Sequence, residues 1–432
     1  MVAMSARPAN GFRAYAANLR RFSRNARLYL VHIVGMDVIH GTWEVIFNLY
    51  LLELGFSIEF IGVRLAIMGV ARVVAAVPAG WLSDRIGRKW GFILGDGGGA
   101  VLAVIQILSA NPTVLLVGAA FQSGFGVLHH VTESPFMAEN SEPEERIHLF
   151  SVGSGIRTLA AMAGALVAGL FPAWIAGVFD LPKVEAFRWA TLIGAAGWFL
   201  SLIPAVMLRP YLSAEVAAAM KGAPPPRRGV LRGIRNPAVM RKFVIVAALL
   251  ALGSGLTLSL ANVYFQEGVQ AGEAEIGVTF AAGSLALAVA SFAAPFVETR
   301  FGRIRSVVVT RAAAIPFIVV IALAPSLATP TAVVSLAGAA FVLRTTLFNM
   351  AGPVYEAFSM EMLHPGERAT FTGITSLIGG ALAGAGGWMG AQAMGRGDFV
   401  TPWLGMALLY AVSTWLFWRF FRPRGAAPPA IA

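Results

Sequence analysis

Gly80-Trp81-Leu82-Ser83-Asp84-Arg85-Ile86-Gly87-Arg88-Lys89-Trp90-Gly91 is a short charged turn between two long apolar runs. If those runs lie in lipid, the turn cannot, because hydrocarbon leaves bare loop backbone unsatisfied. Its basic residues assign it to the cytoplasmic face of a membrane. A degraded copy, Pro295-Phe296-Val297-Glu298-Thr299-Arg300-Phe301-Gly302-Arg303-Ile304, follows 215 residues later in a chain of 432. The turn therefore marks topology, orientation and an internal duplication together.

The composition agrees. Apolar residues make up 57% of the chain and charged residues 13%, against about 25% charged in soluble domains. The net charge of +11 comes from basic residues that punctuate apolar runs, the pattern of cytoplasmic loops rather than of a nucleic-acid surface. No nucleic-acid partner is expected. The absence of cysteine excludes disulfides and thiolate metal sites.

Spanning helices need about 20 apolar residues each. They are expected near 28–54, 58–82, 90–110, 113–137, 148–175 and 186–208, then near 241–266, 274–297, 304–326, 331–360, 369–395 and 400–421. The fold class is all-α and polytopic: twelve transmembrane helices in two six-helix bundles related by a pseudo-twofold axis. A basic segment, 1–27, precedes the bundle over 28–208. Phe12, Tyr15, Leu19 and Phe22 recur there at helical spacing, which leaves open an amphipathic helix or a solvated tail. A basic linker over 209–240 contains Pro224-Pro225-Pro226. The second bundle covers 241–422 and a tail covers 423–432. Arg and Lys gather in the N-terminal segment, linker and tail, while Glu53, Glu59, Glu267, Glu273 and Glu275 gather on the other side. Both termini are thus expected in the cytoplasm, and the location in a bacterial or archaeal plasma membrane.

A second repeat supports the duplication. Glu139-Asn140-Ser141-Glu142-Pro143-Glu144-Glu145-Arg146 and Glu361-Met362-Leu363-His364-Pro365-Gly366-Glu367-Arg368 share Glu-x3-Pro-x-Glu-Arg at an offset of 222.

Ionisable groups within spans cost about 2.5–3.5 kcal/mol each on insertion scales, so each is a functional candidate. In helix 1, Asp37, His40, Glu44 and Asn48 share one face, as expected of a wall of an aqueous cavity. Helix 2 contributes Arg64 and Arg72, with Asp37–Arg72 and Glu44–Arg64 ion pairs within geometric reach. Helix 4 contributes His129, His130 and Glu133, and His129 with Glu133 forms an i,i+4 pair. Asp37, Glu44, Glu133, His40 and His129 are the proton-coupling candidates, with the choice between His129 and His130 open. Asn48, Arg64, Arg72, Gln122, Arg344, Asn349, Tyr355 and Glu356 are the substrate-cavity candidates. By the repeat offsets Gln122 corresponds to Arg344 and Asp96 to Arg311. That places these four near the central cavity or the interface between halves. Arg344 either holds an anionic substrate group or pairs with a first-half carboxylate as a gate.

Gly-x-Leu-Ser-Asp-Arg-x-Gly-Arg-Lys, as it stands from Gly80 to Lys89, resembles the loop between helices 2 and 3 of the major facilitator superfamily of secondary transporters. The resemblance extends over roughly Arg27 to Arg422. It implies a conformational latch of Gly80, Asp84, Arg85, Gly87 and Arg88. Gly80 would allow close packing, Asp84 would meet the start of helix 11, and Arg85 and Arg88 would complete a charge relay. Thr299 replaces the aspartate in the second copy, which weakens a symmetrical lock. Drug/proton antiporters of this family carry an arginine before a Gly-x-Gly in helix 4. Here Gly124-Phe125-Gly126 is present, but Ala120 stands at the arginine's place. Their helix 5 proline is also missing from Gly164-Ala165-Leu166-Val167-Ala168-Gly169.

The expected function is secondary active transport by alternating access: proton-coupled efflux of a hydrophobic or cationic small molecule. The alternatives are a proton-coupled symporter or exchanger of an organic anion or other small metabolite, and a transporter-like sensor or scaffold. No enzyme activity, cofactor or metal site is expected. The partners are a small-molecule substrate, protons and the lipid bilayer, and the chain is expected to act as a monomer.

Overall fold

The computed structural model describes residues 21–209, 236–363 and 368–422. Most of the basic segment 1–27, with its alternatives of an amphipathic helix and a solvated tail, falls outside them. So do Pro224–Pro226 of the linker, Pro365 and Glu367 of the second loop repeat, and the tail from 423.

Six helices form the first half: α1 (Arg24–Glu53), α2 (Ile58–Ile86), α3 (Arg88–Ile107), α4 (Pro112–Glu139), α5 (Pro143–Phe179) and α6 (Lys183–Val206). Six form the second: α7 (Pro237–Gly268), α8 (Glu273–Phe301), α9 (Arg303–Leu327), α10 (Val333–Glu361), α11 (Arg368–Met394) and α12 (Thr401–Phe421). Among the described residues eleven helices are long and apolar enough to cross a membrane. The remaining one, α11, has 27 residues, and its seven glycines dilute an otherwise apolar run.

Local chemistry sets the helix ends. Ser23 and Ser57 accept backbone N–H bonds at the starts of α1 and α2, and Asn111 caps α4 ahead of Pro112. Gly87 (φ +84°) and Gly302 (φ +73°) turn the chain between α2 and α3 and between α8 and α9, a conformation glycine adopts without strain. Two spans are interrupted. α7 passes through a 3-10 turn at Leu258–Leu260 and a π turn at Tyr264–Gly268. α10 breaks at Ala351, ahead of Gly352-Pro353, where proline removes a donor.

The two halves pack alike. α1 lies on α5 and α6, α2 on α4, and α3 on α4 and α6; α7 lies on α11 and α12, α8 on α10, and α9 on α10 and α12. Between the halves α2 meets α11 and α5 meets α8, and these two contacts exchange under the same six-helix shift. Both rest on glycine. A Cβ on Gly69 would lie 2.9 Å from Gly384 Cα, and one on Gly169 would lie 2.8 Å from Gly277 Cα. Close backbone approach substitutes here for the hydrophobic drive that lipid removes.

Among the described residues the hydrophobic core is continuous at one end only. At the end opposite the Gly80–Gly91 turn, residues of both halves, among them Leu49, Tyr50, Leu260, Phe265 and Trp403, belong to one buried cluster. At the motif-bearing end the core divides. Tyr29, Phe92 and Phe136 belong to a first-half cluster, and Phe243, Val354 and Phe417 to a separate second-half one. The far end is thus joined and the motif end parted.

Candidate functional site

The Asn48 end of the α1 stripe meets the second half. Asn48 Nδ2 donates to Ser259 O (3.0 Å) and to Asn262 Oδ1 (3.2 Å), while Asn262 Nδ2 donates to the carbonyls of Glu44 (3.1 Å) and Val45 (2.8 Å). The irregular turns of α7 present Asn262 for this exchange, since they interrupt the regular ladder there. One turn along the stripe, the Glu44 side chain is exposed, and so is His40. Glu44 has no side-chain partner among the described residues. Asp37 is half-buried, and its Oδ2 has no hydrogen-bond partner. The charged groups acting on Asp37 are His40, Arg157, His129 and Glu133.

Behind that stripe the first bundle holds a network of opposite charges. Glu133 of α4 is buried and forms an ion pair with Arg157 of α5. Asp96 Oδ2 of α3 lies 2.9 Å from His32 Nε2 and 2.9 Å from His129 Nδ1. All three are buried, and the carboxylate oxygen and the two ring nitrogens lie within 4.8 Å of one another. His32 Nδ1 lies 2.7 Å from Ser201 O on α6. Of the adjacent histidines, His129 is buried in the bundle and His130 is exposed.

The arginines divide sharply. Arg64 is buried, with its guanidinium 4.6 Å from the Phe47 ring centre and one nitrogen 3.4 Å from Gln106 Oε1. Gln106 in turn donates to Gln122 (2.8 Å). Arg344 is buried, donates to Tyr410 Oη (3.1 Å) and lies 5.4 Å from the Phe348 ring centre. Arg311 lies 4.5 Å from Tyr355 and 5.3 Å from Phe348. Desolvated cation–π contacts of this kind are worth about 2 kcal/mol. Among the described residues neither Arg64 nor Arg344 meets a carboxylate, so the expected Glu44–Arg64 pair is not formed. Nor is Asp37–Arg72: Arg72 is exposed, with its Cβ 3.9 Å from the Cβ position of Gly380 on α11. Asp96, Arg311 and Arg344 lie inside their own bundles rather than at the interface between halves. Depth along a helix is legible in sequence, and rotation about its axis is much less so. Asn349 and Tyr355 are half-buried on α10, and Glu356 is exposed.

The motif turn holds its own half together. Arg88 meets Asp84 (2.7 Å) and Glu139 at the end of α4 (3.1 Å). In the second half Arg303 meets Glu298 (2.9 Å) and also Glu361 at the end of α10. Glu298, one residue before Thr299, thus supplies the carboxylate that Thr299 does not. Arg85 lies 5.1 Å from the Trp81 ring centre, and Asp84 is exposed. A Cβ on Gly80 would meet nothing within 4 Å, so the close packing expected there is not used in this conformation.

An ionic bridge across the halves stands instead at the far end. Lys183, at the start of α6, binds Glu53 at the end of α1 and Glu273 at the start of α8. His32, Asn262 and Lys183 escaped the sequence-based site. His32 and Asp96 show in the sequence as charges within spans, but their convergence needs three helices. Asn262 carries a signal that was available: it lies 214 residues after Asn48, close to the repeat offset.

Two six-helix bundles joined at one end and parted at the other, with His40 and Glu44 exposed on α1, have the build of a membrane transporter. The profile of the Major Facilitator Superfamily matches residues 41–388, and the chain belongs to that family. The nucleoside transporter NupG superposes with a TM-score of 0.70 at 16% identity, over 93% of this chain and 100% of that one; a mutant form of it gives 0.72. A bacterial homologue of the iron transporter ferroportin, in its inward-facing state, gives 0.64 at 14% identity, over 93% of this chain and 99% of that one. At these identities the likenesses show the fold. No curated protein matches by sequence.

Proposed function

We propose that the chain exchanges protons for cationic or hydrophobic small molecules by alternating access. In this reading the motif end and both termini face the cytoplasm, and the structure is the state open to that side. The bundles over 28–208 and 241–422 rock about the central wall, with 209–240 as the linker between them.

One observation carries the choice of cargo. The accessible side chains of α1 include a carboxylate, Glu44, with no side-chain partner among the described residues, and Asp37 is half-buried with His40 acting on it. Two of the three arginines that favoured an anion, Arg64 and Arg344, are buried against aromatic rings. Arg72 is the accessible one of the three. A carboxylate that binds either a proton or a cation, but not both, couples the two as an exchange. A proton gradient directed inward then drives export.

The test is transport by the full chain in proteoliposomes under an imposed pH gradient. Tetraphenylphosphonium and benzoate serve as cationic and anionic probes. Movement of the cation against its gradient, reversed when the pH gradient is reversed, supports the reading. Movement of benzoate alone overturns it in favour of an anion carrier.

A further inference from the structure

We propose that His32, Asp96 and His129 form a buried proton-binding site, holding one proton beyond an ionised aspartate and two neutral imidazoles. This deepens the proton coupling proposed above by naming where a proton is held.

The inference comes from counting donors. Ser201 O only accepts, so at 2.7 Å His32 Nδ1 must carry a hydrogen. A neutral imidazole has one N–H, and this bond uses it. His32 Nε2 would then turn a lone pair toward Asp96 Oδ2, an acceptor, at 2.9 Å. Both side chains are buried, His32 at 0% and Asp96 at 1% exposure. A face-to-face pair of acceptors is not sustained without water. One proton on Nε2 converts the clash into a charge-assisted hydrogen bond. His129 Nδ1 supplies a second N–H to the same oxygen. The loaded triad is then neutral: an imidazolium, a carboxylate and a neutral imidazole. Unloading returns one proton to solvent and leaves a buried negative charge, with no bond to carbon, oxygen or nitrogen broken beyond N–H.

Among the described residues no neighbouring cation takes the proton's place. Facing the triad are Tyr29, Asp37 and His40 from α1, and His130 and Glu133 from α4. Arg157 comes from α5, and Arg72 of α2 acts through His130. Arg157 is engaged by Glu133. From α6 the triad receives the Ser201 carbonyl, while Lys183, Glu185 and Arg188 stand at the far end of that helix. His129 is the triad member on which Glu133 and Asp37 also act, and its buried Nε2 has no hydrogen-bond partner among the described residues.

The experiment is solid-state NMR of the full-length protein in lipid bilayers with its histidines labelled with nitrogen-15. The chain has six histidines, so the ring signals are separable. At pH 7.5 we expect one ring with both nitrogens protonated, absent from His32→Gln and converted to a neutral ring in Asp96→Asn. A wild-type His32 with a bare Nε2 at pH 7.5 overturns the proposal. So does one equivalent of a transition metal in the purified protein whose removal by chelator changes the His32 and His129 signals. Should Asp96→Asn fail to fold, the wild-type spectrum decides alone. A doubly protonated His32 without proton-driven transport removes the exchange mechanism and leaves this site standing. Proton-driven transport with a neutral His32 does the reverse.

Discussion

Asn48 and Asn262 lie 214 residues apart and touch, with Asn48 Nδ2 donating to Asn262 Oδ1 at 3.2 Å. They hold nearly equivalent places in the two repeats, so their contact lies where the first helix of each half meets its counterpart. Asn262 also ties down the Glu44 and Val45 carbonyls. The joined end of the molecule is therefore fastened directly beside an accessible carboxylate. Closure of that end and the state of Glu44 are mechanically adjacent.

Asn262→Ala removes two backbone-directed donors and the acceptor for Asn48. Leaving buried polar groups unpaired costs about 1–3 kcal/mol, borne by the joined state alone. Faster amide exchange at the ends of α1 and α7, with the rest of the chain unchanged, is the expected result in bilayers. Uniform destabilisation would assign Asn262 to folding instead.

Lys183→Gln leaves Glu53 and Glu273 facing each other across the halves. Each partly exposed ion pair is worth about 0.2–1 kcal/mol, so the far end is expected to open a few-fold more often. The absence of cysteine makes single-cysteine labelling direct: a cysteine placed at Val45 reacts faster from the far side in the Lys183→Gln background.

Gly384→Val places side-chain atoms where Gly69 Cα stands, since even a Cβ comes within 2.9 Å. The α2–α11 crossing must part. The variant is expected to fold and to lose the joined far end, as read by the distance between spin labels on α2 and α11. An unchanged distance would show that the crossing has slack.

Glu298→Gln is expected to loosen the α8–α9 turn as Asp84→Asn loosens the α2–α3 turn, each raising local amide exchange several-fold. Thr299→Ala should do neither, because Arg303 binds Glu298 and Glu361. A larger effect from Thr299→Ala would contradict this assignment of partners.

Much of the fold was legible because lipid imposes long apolar runs and because the chain repeats itself. The helices start and stop within a few residues of their expected places, and α7 begins at Pro237, slightly inside the expected linker. The α1 stripe was legible for the same reason, a helical period on an apolar background. Pairings across helices were not. Arg64 turns to Phe47 and Gln106, and Asp96 gathers two histidines from α1 and α4. Which neighbour a buried charge selects depends on rotation and tilt, which sequence spacing alone does not fix. The Glu298 substitution is a further case: a carboxylate shifted by one residue at a helix end reaches the same arginine.

The central claim is that a carboxylate of the accessible wall trades a proton for cargo. Its most direct measurement is proton-driven tetraphenylphosphonium transport in proteoliposomes by Glu44→Gln and Glu133→Gln, beside the wild type. Glu44→Gln is expected to lose the response to the pH gradient while still equilibrating the probe down its own gradient. Full pH-driven transport in Glu44→Gln would contradict the account, whatever Glu133→Gln does.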